Sequence, residues 1–486
     1  MKTSGPLTLI AMLSLLTTWT APASFAHDAP AGRPSRPPNI LLVMLDDLGK
    51  DWVTCCGGGE IETPNVDRLA AGGMRLANAY CMPQCTPTRV TLLTGQYPFR
   101  HGWVNHWDVP RWGHGYFDWK RNPSIARVMK SAGYTTAVAG KWQINDFRVH
   151  PDALQEQGFD DWCVWTGGEA GNRASNSRYW DPYIHTRRGS RTYEGRFGPD
   201  VFTEFLIDFM RKHRQERMFL YFPMCLTHGP LVSTPLEPDA KGRLERHKAM
   251  VRYADHLLGK LIGALESLKL REDTIVIWTT DNGSAVSGTL HGHKVSGGKA
   301  KTTEMGVCVP FIVNCPGRVP QGVVSDALTD FTGLLPTCAE LAGAKLPDGC
   351  KIDGVSIAGH LLGRVDDSPR RWIMAMGGQN RARLTDKGVE NEWYFRDRVL
   401  RDNRYKLYVG TDRRPEELID LRSDPAEEHN LLDSPDPAAQ AAVKKFMAAV
   451  ETFPEKDSDP AYGPPQPAYV KVTAESGRWK KGRPER

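Results

Sequence analysis

The chain has 486 residues, of which 40% are hydrophobic and 24% charged, and this ordinary composition excludes a disordered or fibrous protein. The length is enough for one large domain and a smaller one. The formal net charge of +5 is small and spread along the chain, so it gives no reason to expect a nucleic-acid partner.

The N-terminal residues have the pattern of a secretion signal, 1–26. Lys2 precedes an apolar run from Leu7 to Trp19, and small residues lead up to Ala26. We therefore predict cleavage after Ala26 and an exported protein, periplasmic or extracellular. A membrane anchor fits less well because the apolar run is shorter than the roughly 20 residues that a span needs. We expect no membrane span elsewhere, and the ten cysteines permit disulfides without fixing their pairing.

Strands and helices alternate after a Pro-rich linker, 27–38. The run from Ile40 to Leu45 is continuously apolar, as in a strand buried on both faces of a parallel sheet. Thr63 to Gly73 has a cap, a proline at the first helical position and a glycine stop, which together predict a helix. We further predict a helix near 124–132 and strands at 135–139, 218–222, 274–280 and 309–313. This alternation predicts an α/β domain, 39–362, built on a large, mainly parallel sheet flanked by helices.

Polar or charged residues follow several of the predicted strands. They are Asp46 and Asp47, Lys141, His228, and Asp281 with Asn282. Open α/β sheets bind their ligands at the carboxyl ends of the strands. We therefore expect these distant segments to converge on one site.

The pattern changes beyond Leu362. A shorter strand at 405–409 and a terminal amphipathic helix at 438–452 predict a smaller C-terminal α+β subdomain, 363–456. The tail, 457–486, is rich in proline, glycine and basic residues, and we expect it to pack loosely.

The segment Cys85-Thr86-Pro87-Thr88-Arg89 has the features of a catalytic motif. Pro87 suits a first helical turn and Gly95 can end the helix, so Cys85 would lie at a helix N-terminus. Free N–H groups and the helix dipole favour an anion there. Arg89, one turn later, would face the same side. The motif predicts a nucleophile and a fixed cation against one anionic group, although these residues could also begin an ordinary buried helix.

The sequence around this motif resembles the formylglycine-dependent sulfatases, arylsulfatase-like members of the alkaline phosphatase superfamily. The matching segments are Asn39-Ile40-Leu41, Asp46-Asp47, Thr63 to Leu69, Cys85 to Arg89, Leu93-Thr94-Gly95, Gly140-Lys141-Trp142, Thr227 to Pro230, Asp281-Asn282-Gly283, Lys299 to Glu304, Glu417 to Leu421, Asp424-Pro425 and Asn430-Leu431. The resemblance covers nearly all of the chain after the signal. It implies an alkaline-phosphatase-like fold.

The resemblance also implies a reaction. In this family a maturation enzyme oxidises the cysteine to formylglycine, whose hydrate carries two hydroxyls. One hydroxyl attacks sulfur and expels the alcohol, and the second loses its proton so that collapse to the aldehyde releases sulfate. A serine lacks this second hydroxyl. For this chain the resemblance implies formylglycine at Cys85, a sulfate-ester substrate and a formylglycine-generating partner enzyme.

A metal site is implied by the same comparison. Asp46, Asp47, Asp281 and Asn282 match the family's metal ligands, and all are oxygen donors, which suit calcium or magnesium better than zinc. We expect one calcium ion, with magnesium as the alternative. The ion would polarise a sulfate oxygen. Without the resemblance, Asp-Asp would be taken for a helix cap and Asp-Asn-Gly for a turn.

Three further side chains match family residues at the sulfate. Lys141 and Lys299 correspond to lysines that contact the formylglycine and the sulfate, where cations stabilise developing charge. His228 corresponds to the histidine near the leaving oxygen, and we expect it to protonate the leaving alcohol. Viewed alone, such lysines are usually solvated and such a histidine is bonded within its own turn. Candidate substrate contacts near Lys299 in the sequence are His291, His293 and Lys301.

The chain departs from the family at two positions. Gln143 stands where the family has a histidine, and an amide cannot take a proton near neutral pH. Gln143 therefore remains a candidate substrate contact, and the base for sulfate release is not identified. Cys308 stands where the family has an arginine, which we interpret as a variation in packing.

Two segments rich in aromatic residues and arginine could line a cleft for a sulfated sugar. They contain Trp103, Trp107, Trp112 and Trp119, and Tyr179, Trp180, Arg187, Arg188 and Arg191. Two other functions stay open at this point. One is a phosphoester or phosphonate monoester hydrolase of the same superfamily, and the other is a non-catalytic relative that binds sulfated glycans.

Overall fold

A computed structural model describes Met1 and residues 36–104, 117, 120–142, 144–145, 147, 151–165, 177–377, 383–385, 388–390 and 395–458. The side chains of His293 and of residues 383–385 and 388–390 lie outside this description. The predicted signal beyond Met1 and the end of the predicted tail, from residue 459, lie outside it as well.

The chain from Arg36 onward belongs to one compact unit. Its strands are β1 (Asn39–Leu45), β2 (Met74–Tyr80), β3 (Thr135–Lys141), β4 (Asp161–Trp165), β5 (Tyr183–Thr186), β6 (Gly189–Thr192), β7 (Met218–Pro223), β8 (Thr274–Thr280), β9 (Gly288–Leu290), β10 (His293–Val295), β11 (Phe311–Asn314), β12 (Val323–Asp330), β13 (Ile373–Met376), β14 (Arg383–Thr385), β15 (Gly388–Glu390), β16 (Arg398–Arg401), β17 (Tyr405–Val409) and β18 (Pro415–Asp420). Its helices are α1 (Pro64–Ala71), α2 (Cys85–Thr94), α3 (Pro98–His101), α4 (Ile125–Ser131), α5 (Ala153–Glu156), α6 (Gly198–Lys212), α7 (Arg243–Ser267), α8 (Glu304–Val307), α9 (Leu334–Ala342), α10 (Ala358–Leu361) and α11 (Pro437–Glu451).

Within the described residues, ten strands form one large sheet in the order β12-β2-β11-β8-β1-β7-β3-β4-β5-β6. The pairing is parallel from β8 through β1, β7 and β3 to β4, and β12 is parallel to β2. The predicted mainly parallel sheet is therefore confirmed. The predicted strand 309–313 is observed as β11, which runs antiparallel to both of its neighbours.

The continuous apolar run in β1 arises because helices cover both faces of the sheet. Ile40 and Leu42 are fully buried against α2, α4 and α9, whereas Leu41 and Val43 are fully buried against α1, α6 and α7. Burying each such side chain contributes about 1.5–3 kcal/mol. This two-sided burial holds the strands whose ends carry the polar residues.

The segment that begins with Thr63 has a structural role. The carboxylate of Asp255, on α7, accepts hydrogen bonds from the backbone N–H groups of Asn65 at 2.9 Å and Val66 at 2.8 Å, and from the Asn65 side chain at 2.7 Å. These bonds satisfy the free N–H groups at the start of α1. The family-like segment therefore ties α1 to α7.

The C-terminal region contains a small antiparallel sheet in the order β13-β16-β17-β18. Leu407 and Leu418 of this sheet share a core with Phe446 of α11. The expected smaller α+β region is thus present, while the boundaries 39–362 and 363–456 stay predictions.

Two observations concern the predicted export. Among the described helices, none combines the length and the apolar character needed to cross a membrane. All ten cysteines lie in the described part of the chain, and each is a free thiol.

Candidate active site

Four neighbouring parallel strands bring the predicted polar residues to one edge of the sheet. Leu45 pairs in register with Thr280, so Asp46 and Asp281 follow side by side at the ends of β1 and β8. Lys141 is the last residue of β3. The loop after β7 brings His228 to the same edge, because the backbone N–H of Asp46 donates to the carbonyl of Leu226 and the backbone N–H of Thr227 donates to the carbonyl of Asp46. The predicted convergence of these segments is therefore observed.

Cys85 begins α2, as the motif predicted, and the helix ends at Gly95, whose φ is 68°. Left-handed backbone of this kind is readily adopted by glycine. The hydroxyl of Thr88 donates to the carbonyl of Asp281 at 2.7 Å, which fixes the first turn of α2 against the end of β8. Cys85 is only 6% exposed, and its Sγ lies within 4.8 Å of carboxylate oxygens of Asp46 and Asp281.

Buried carboxylates alternate with cations around Cys85. The closest pairs are Lys141 Nζ to Asp46 Oδ2 at 2.5 Å, Arg89 Nη2 to Asp281 Oδ2 at 2.7 Å, Lys299 Nζ to Asp47 Oδ2 at 2.7 Å and Arg89 Nη2 to Asp46 Oδ2 at 3.6 Å. We call these six residues, together with Cys85 and Asn282, the catalytic cluster. Charges buried this deeply are tolerated only with partners of opposite sign.

The carboxylates of the cluster differ in their proton affinity. Burial acts to raise the pKa of Asp46, but Lys141 and other cations outweigh it and hold that pKa well below the usual range. Lys299 does the same for Asp47 against the effect of burial. For Asp281, burial together with the negative charge of Asp46 raises the pKa to about 7.

The cluster contains buried oxygen atoms without a hydrogen-bond partner among the described residues, and such atoms suit a metal ion. Asn282 donates through Nδ2 to Asp47 Oδ1 at 2.7 Å, which leaves its carbonyl oxygen without a partner among the described residues. Asp46 Oδ1 is also buried without a partner there. With the oxygens of Asp47 and Asp281 these atoms make an all-oxygen donor set, which is what a hard divalent cation prefers. The residues present therefore fit the expected ion.

His228 lies at the open side of the cluster. Its Nε2 is 3.6 Å from Asp47 Oδ2, and a quarter of the side chain is exposed, as is a quarter of Lys299. Burial of the rest of the ring lowers the pKa of His228 to about 3, although Asp47 and Asp46 act in the opposite direction. The ring is therefore neutral near pH 7, and its predicted role as proton donor to the leaving alcohol stays a prediction.

The other candidate substrate contacts are exposed or lie outside the described residues, and all of them stay predictions. His291 is exposed on the turn between β9 and β10, where its backbone N–H donates to Glu60 at 3.0 Å. Lys301 is exposed as well. Gln143 and the side chain of His293 lie outside the described residues, so these positions stay predictions.

The described members of the two aromatic and arginine segments lie in different surroundings, and their predicted role in a sugar-binding cleft stays a prediction. Tyr179 is buried and donates to the carbonyls of Cys225 and His228, close to the site. Arg187, in contrast, donates to the carbonyl of Asp160, before the amino end of β4 and away from the carboxyl ends of the strands. Trp103 is buried in the core. Trp107, Trp112 and Trp119 lie outside the described residues.

Two contacts were missed by the sequence analysis. Arg178 is 6% exposed, and its Nη2 lies 3.1 Å from His228 Nδ1. Lys50 places its Nζ 2.8 Å from Cys308 Sγ, so a cation from another segment stands beside the residue that replaces the family's arginine. No motif marks either residue, and both contacts join segments that are far apart in the chain.

The sequence pattern of the family described as Sulfatase matches residues 38–344. The chain belongs to the sulfatase family. This sulfatase is 32% identical over 374 residues to N-acetylgalactosamine-6-sulfatase of Canis lupus familiaris, covering 70% of this chain and 69% of the relative. It is 30% identical over 504 residues to arylsulfatase A of Bos taurus, covering 93% and 94%.

A solved structure shows the same fold. The crystal structure of Ps i-CgsB has a TM-score of 0.72 at 23% identity and covers 92% of this chain and 97% of its own. The predicted family, fold class and enzyme class, a sulfuric ester hydrolase, are confirmed. Membership of the family implies a metal ion and a formylglycine.

Proposed function

We propose that this sulfatase hydrolyses a sulfate ester on a carbohydrate to an alcohol and inorganic sulfate, with formylglycine made from Cys85 as its nucleophile. The observation that carries the proposal is the position of Cys85, buried at the N-terminus of α2 with its Sγ within 4.8 Å of Asp46 and Asp281 oxygens. The sugar sulfate in the name of the canine relative supports a carbohydrate substrate.

The surroundings of residue 85 suit an anionic group. Hydrated formylglycine supplies two hydroxyls, one for attack on sulfur and one for the later release of sulfate. The free N–H groups of α2 and the guanidinium of Arg89 face the same region and favour negative charge. Asp281 orients Arg89 through a 2.7 Å ion pair.

Asp46, Asp47, Asp281 and Asn282 are the proposed ligands of one calcium ion, with magnesium as the alternative. When bound, the ion would supply Lewis-acid polarisation of a sulfate oxygen. The support for this assignment is the pair of unpartnered oxygens, Asp46 Oδ1 and Asn282 Oδ1, in an all-oxygen set.

The two lysines have different proposed tasks. Lys141 is 1% exposed and is paired with Asp46, so its proposed tasks are to hold that carboxylate and to contact residue 85. Lys299 is a quarter exposed and faces the side that the substrate can reach. Burial acts to lower the pKa of Lys299, but Asp47 outweighs it and the pKa is raised, so this lysine stays charged and can bind the sulfate.

His228 is the proposed contact of the leaving oxygen. The ring is neutral at neutral pH, as its lowered pKa shows, and a neutral imidazole can still donate one hydrogen bond. We therefore assign it a hydrogen bond to the leaving oxygen rather than a full proton transfer. Histidine of this kind stabilises charge without changing its own.

The release of sulfate from residue 85 has no assigned base. Gln143 stands where the family has histidine, and it lies outside the described residues. We propose that another base or water accepts the proton. Replacing Gln143 by histidine should then raise turnover.

Export and maturation complete the proposal. The signal-like residues 1–26 favour a periplasmic or extracellular enzyme, and formylglycine requires a maturation enzyme as a transient partner.

Mass spectrometry of the Cys85 peptide, from protein exported by its own host, tests the nucleophile. We expect a mass that corresponds to formylglycine. An unmodified thiol throughout the mature protein would contradict the proposal.

Parallel assays with matched aryl sulfate and aryl phosphate esters, and with sugar sulfates such as N-acetylgalactosamine 6-sulfate, test the reaction. We expect many turnovers and the larger second-order rate constant on sulfate. A larger constant on phosphate would favour the phosphoester hydrolase. One sulfate released per molecule, followed by arrest, would favour the glycan-binding relative.

A further inference from the structure

Trp180 is the only exposed tryptophan among the residues that the structure describes. It is 41% exposed, whereas the other described tryptophans are buried or half-buried. An indole is a large apolar group, and leaving much of it in water forgoes part of the free energy that its burial would contribute. This one ring is therefore a candidate for binding an apolar surface from outside the chain.

The exposed ring is held in place by contacts on two of its sides. The indole N–H donates to the carbonyl of Ser233 at 3.0 Å, and the ring lies against Phe197 with 5.0 Å between the ring centres. The backbones of Trp180 and Phe197 also form a bridge. Because the N–H edge and one side of the indole are occupied, the exposure falls mainly on the remaining side. A ring fixed in this way loses little conformational entropy when a ligand packs on it.

The residue after Trp180 strengthens this arrangement. Asp181 has a φ of 50°, in the left-handed region that few residues other than glycine, asparagine and aspartate adopt. Its backbone N–H donates to the carbonyl of Arg196 at 3.0 Å, and its carboxylate accepts from the backbone N–H of Gly195 at 2.6 Å. The turn that carries Trp180 is therefore tied to the segment just before α6.

The segment that carries Trp180 crosses the edge of the sheet where the active site lies. The strands β3 and β4 end side by side at this edge, and Trp165 is the last residue of β4. The guanidinium of Arg178 lies 4.3 Å from the ring centre of Trp165. Tyr179 donates to the carbonyl of His228 at 2.6 Å. The two residues before Trp180 therefore contact the end of a sheet strand and the turn that contains the active-site histidine.

Trp180 itself lies beside the catalytic cluster and not within it. Its contact Ser233 follows His228 on the same loop, so the ring is placed to touch a part of the substrate other than the sulfate. A sugar ring has a face of C–H groups that packs on an aromatic ring, while its hydroxyls stay in water at the rim. A sugar chain offers such a ring next to the unit that carries the sulfate, whereas a free monosaccharide does not.

We propose that Trp180 is a binding platform for a sugar unit linked to the sulfated one, so that the substrate is an oligosaccharide or polysaccharide and not a free sugar sulfate. The inference rests on the proposed hydrolysis of a carbohydrate sulfate. The sulfated unit occupies the catalytic cluster, and its neighbour in the sugar chain stacks on the indole. Trp180 takes no part in the chemical step, so its effect is on the binding of longer substrates.

Steady-state kinetics on matched substrates test the platform. Each pair consists of a monosaccharide sulfate, such as N-acetylgalactosamine 6-sulfate, and an oligosaccharide with the same sulfated unit, and the pair that the wild type hydrolyses fastest is used. We expect wild-type kcat/KM to be about tenfold larger on the oligosaccharide. Trp180→Ala should raise KM on the oligosaccharide about tenfold, with kcat little changed, and remove this preference. A wild type without the preference, or a Trp180→Ala variant that keeps it, would overturn the inference.

The small substrate 4-nitrophenyl sulfate separates binding from a structural role. Trp180 also holds the loop after β7 through Ser233, so a purely structural role would lower activity on every substrate alike. We expect Trp180→Ala to change kcat/KM on 4-nitrophenyl sulfate by less than about threefold. Equal losses on this substrate and on the oligosaccharide would refute the platform. Trp180→Phe keeps an aromatic face and should recover part of the oligosaccharide activity.

Trp372→Ala is the matched control for the loss of an indole. Trp372 is half-buried in the C-terminal region, where it packs edge-on against Phe453 with 5.8 Å between the ring centres. The ratio of kcat/KM on the oligosaccharide to kcat/KM on the monosaccharide should be the same in this variant as in the wild type. A ratio that falls as far as in Trp180→Ala would contradict a specific role for Trp180.

Binding without turnover distinguishes the failure of this inference from the failure of the proposed function. Full-length Cys85→Ala, with and without Trp180→Ala, is applied to an array of sulfated oligosaccharides, and we expect binding that weakens about tenfold when Trp180 is removed. A wild type that is fully modified at residue 85 and hydrolyses no sulfate ester would refute the proposed function, while binding that depends on Trp180 would still confirm the platform. Equal binding by the two variants, or binding of no oligosaccharide by either, would overturn it.

Discussion

Two buried clusters of charged residues in this sulfatase have similar composition. They differ in whether all of their buried polar atoms have a partner. The interface cluster consists of Glu304, Arg401, Lys406 and Glu427, between the large sheet and the small C-terminal sheet. Lys406 bonds Glu427 at 2.6 Å and Glu304 at 3.2 Å, and Arg401 bonds Glu304 at 2.8 Å. None of the buried side-chain nitrogen and oxygen atoms of these described residues lacks a partner.

The catalytic cluster is also built of paired charges, but some of its buried polar atoms have no hydrogen-bond partner. Asp46 Oδ1, Asn282 Oδ1 and Arg89 Nε are buried without a partner among the described residues. An unpartnered buried polar atom costs about 1–3 kcal/mol, so a cluster that served only stability would have filled these positions. The difference indicates that the interface cluster joins two sheets. The catalytic cluster, in contrast, keeps unpartnered polar atoms that can bind an ion and a substrate.

The largest expected effect of breaking the catalytic cluster is the loss of its nucleophile. Cys85→Ala should lower kcat/KM for sulfate esters by about 10⁵-fold. The melting temperature should fall by no more than about 3 °C, because the removed sulfur is one small buried atom. Steady-state kinetics and calorimetry measure both.

Cys163→Ala is the matched control for this substitution. Cys163 is 2% exposed in the large sheet, so its replacement should cost similar stability and leave catalysis intact. Retention of more than about a hundredth of the activity in Cys85→Ala would exclude Cys85 as the nucleophile.

Breaking the interface cluster should change stability instead of catalysis. Lys406→Met removes the cation between Glu304 and Glu427, and leaving buried charge uncompensated costs about 3–5 kcal/mol of unfolding free energy. Urea denaturation measures the loss, while kcat of the folded enzyme should not change. Lys445→Met is the control, because that lysine pairs with Asp402 at the surface and such pairs contribute about 1 kcal/mol or less. Equal losses in the two variants would contradict the proposed role of the interface cluster.

Calcium affinity should depend on pH through the catalytic cluster. The pKa of Asp281 is raised to about 7 by burial and by Asp46, so below that pH a proton competes with the ion for this carboxylate. Affinity should be steady above about pH 8 and fall up to about tenfold per unit below pH 7. Calorimetry in two buffers of different ionisation enthalpy would count the released proton. An affinity that is flat from about pH 5.5 to 8 would show that Asp281 is not a ligand or is already ionised.

Much of the catalytic cluster could be predicted because its residues follow recognisable local patterns. The apolar run before Asp46 indicates a buried strand, and the Cys85 motif indicates a helix start. Local pattern does not determine strand order, however. That β8, β1, β7 and β3 are neighbours depends on pairing between distant segments, and so does the antiparallel direction of β11.

The interface cluster and Arg178 could not be predicted for the same physical reason. Lys406 lies in a strand where alternation suggests an exposed position, and its partner Glu304 is 102 residues away. Arg178 is 50 residues from His228 and carries no motif. Such contacts are created by packing, and only the folded chain shows which polar side chains are buried together.

The smallest expected effects come from one substitution made in both regions. Tyr408 donates to Glu427 Oε1 of the interface cluster at 2.7 Å, whereas the buried hydroxyl of Tyr221 has no well-formed hydrogen bond among the described residues and makes only a weak contact with Arg89. Tyr408→Phe should therefore lower the free energy of unfolding by about 1 kcal/mol, because it leaves a carboxylate with one donor fewer. Tyr221→Phe should change it by less than about 0.5 kcal/mol, or stabilise the protein, because it removes a buried hydroxyl that makes only a weak contact in the folded chain. Urea denaturation of the two variants measures the contrast directly. Equal losses would mean that the Tyr221 hydroxyl makes a full hydrogen bond in solution. The catalytic cluster would then have fewer unpartnered polar atoms than the structure indicates.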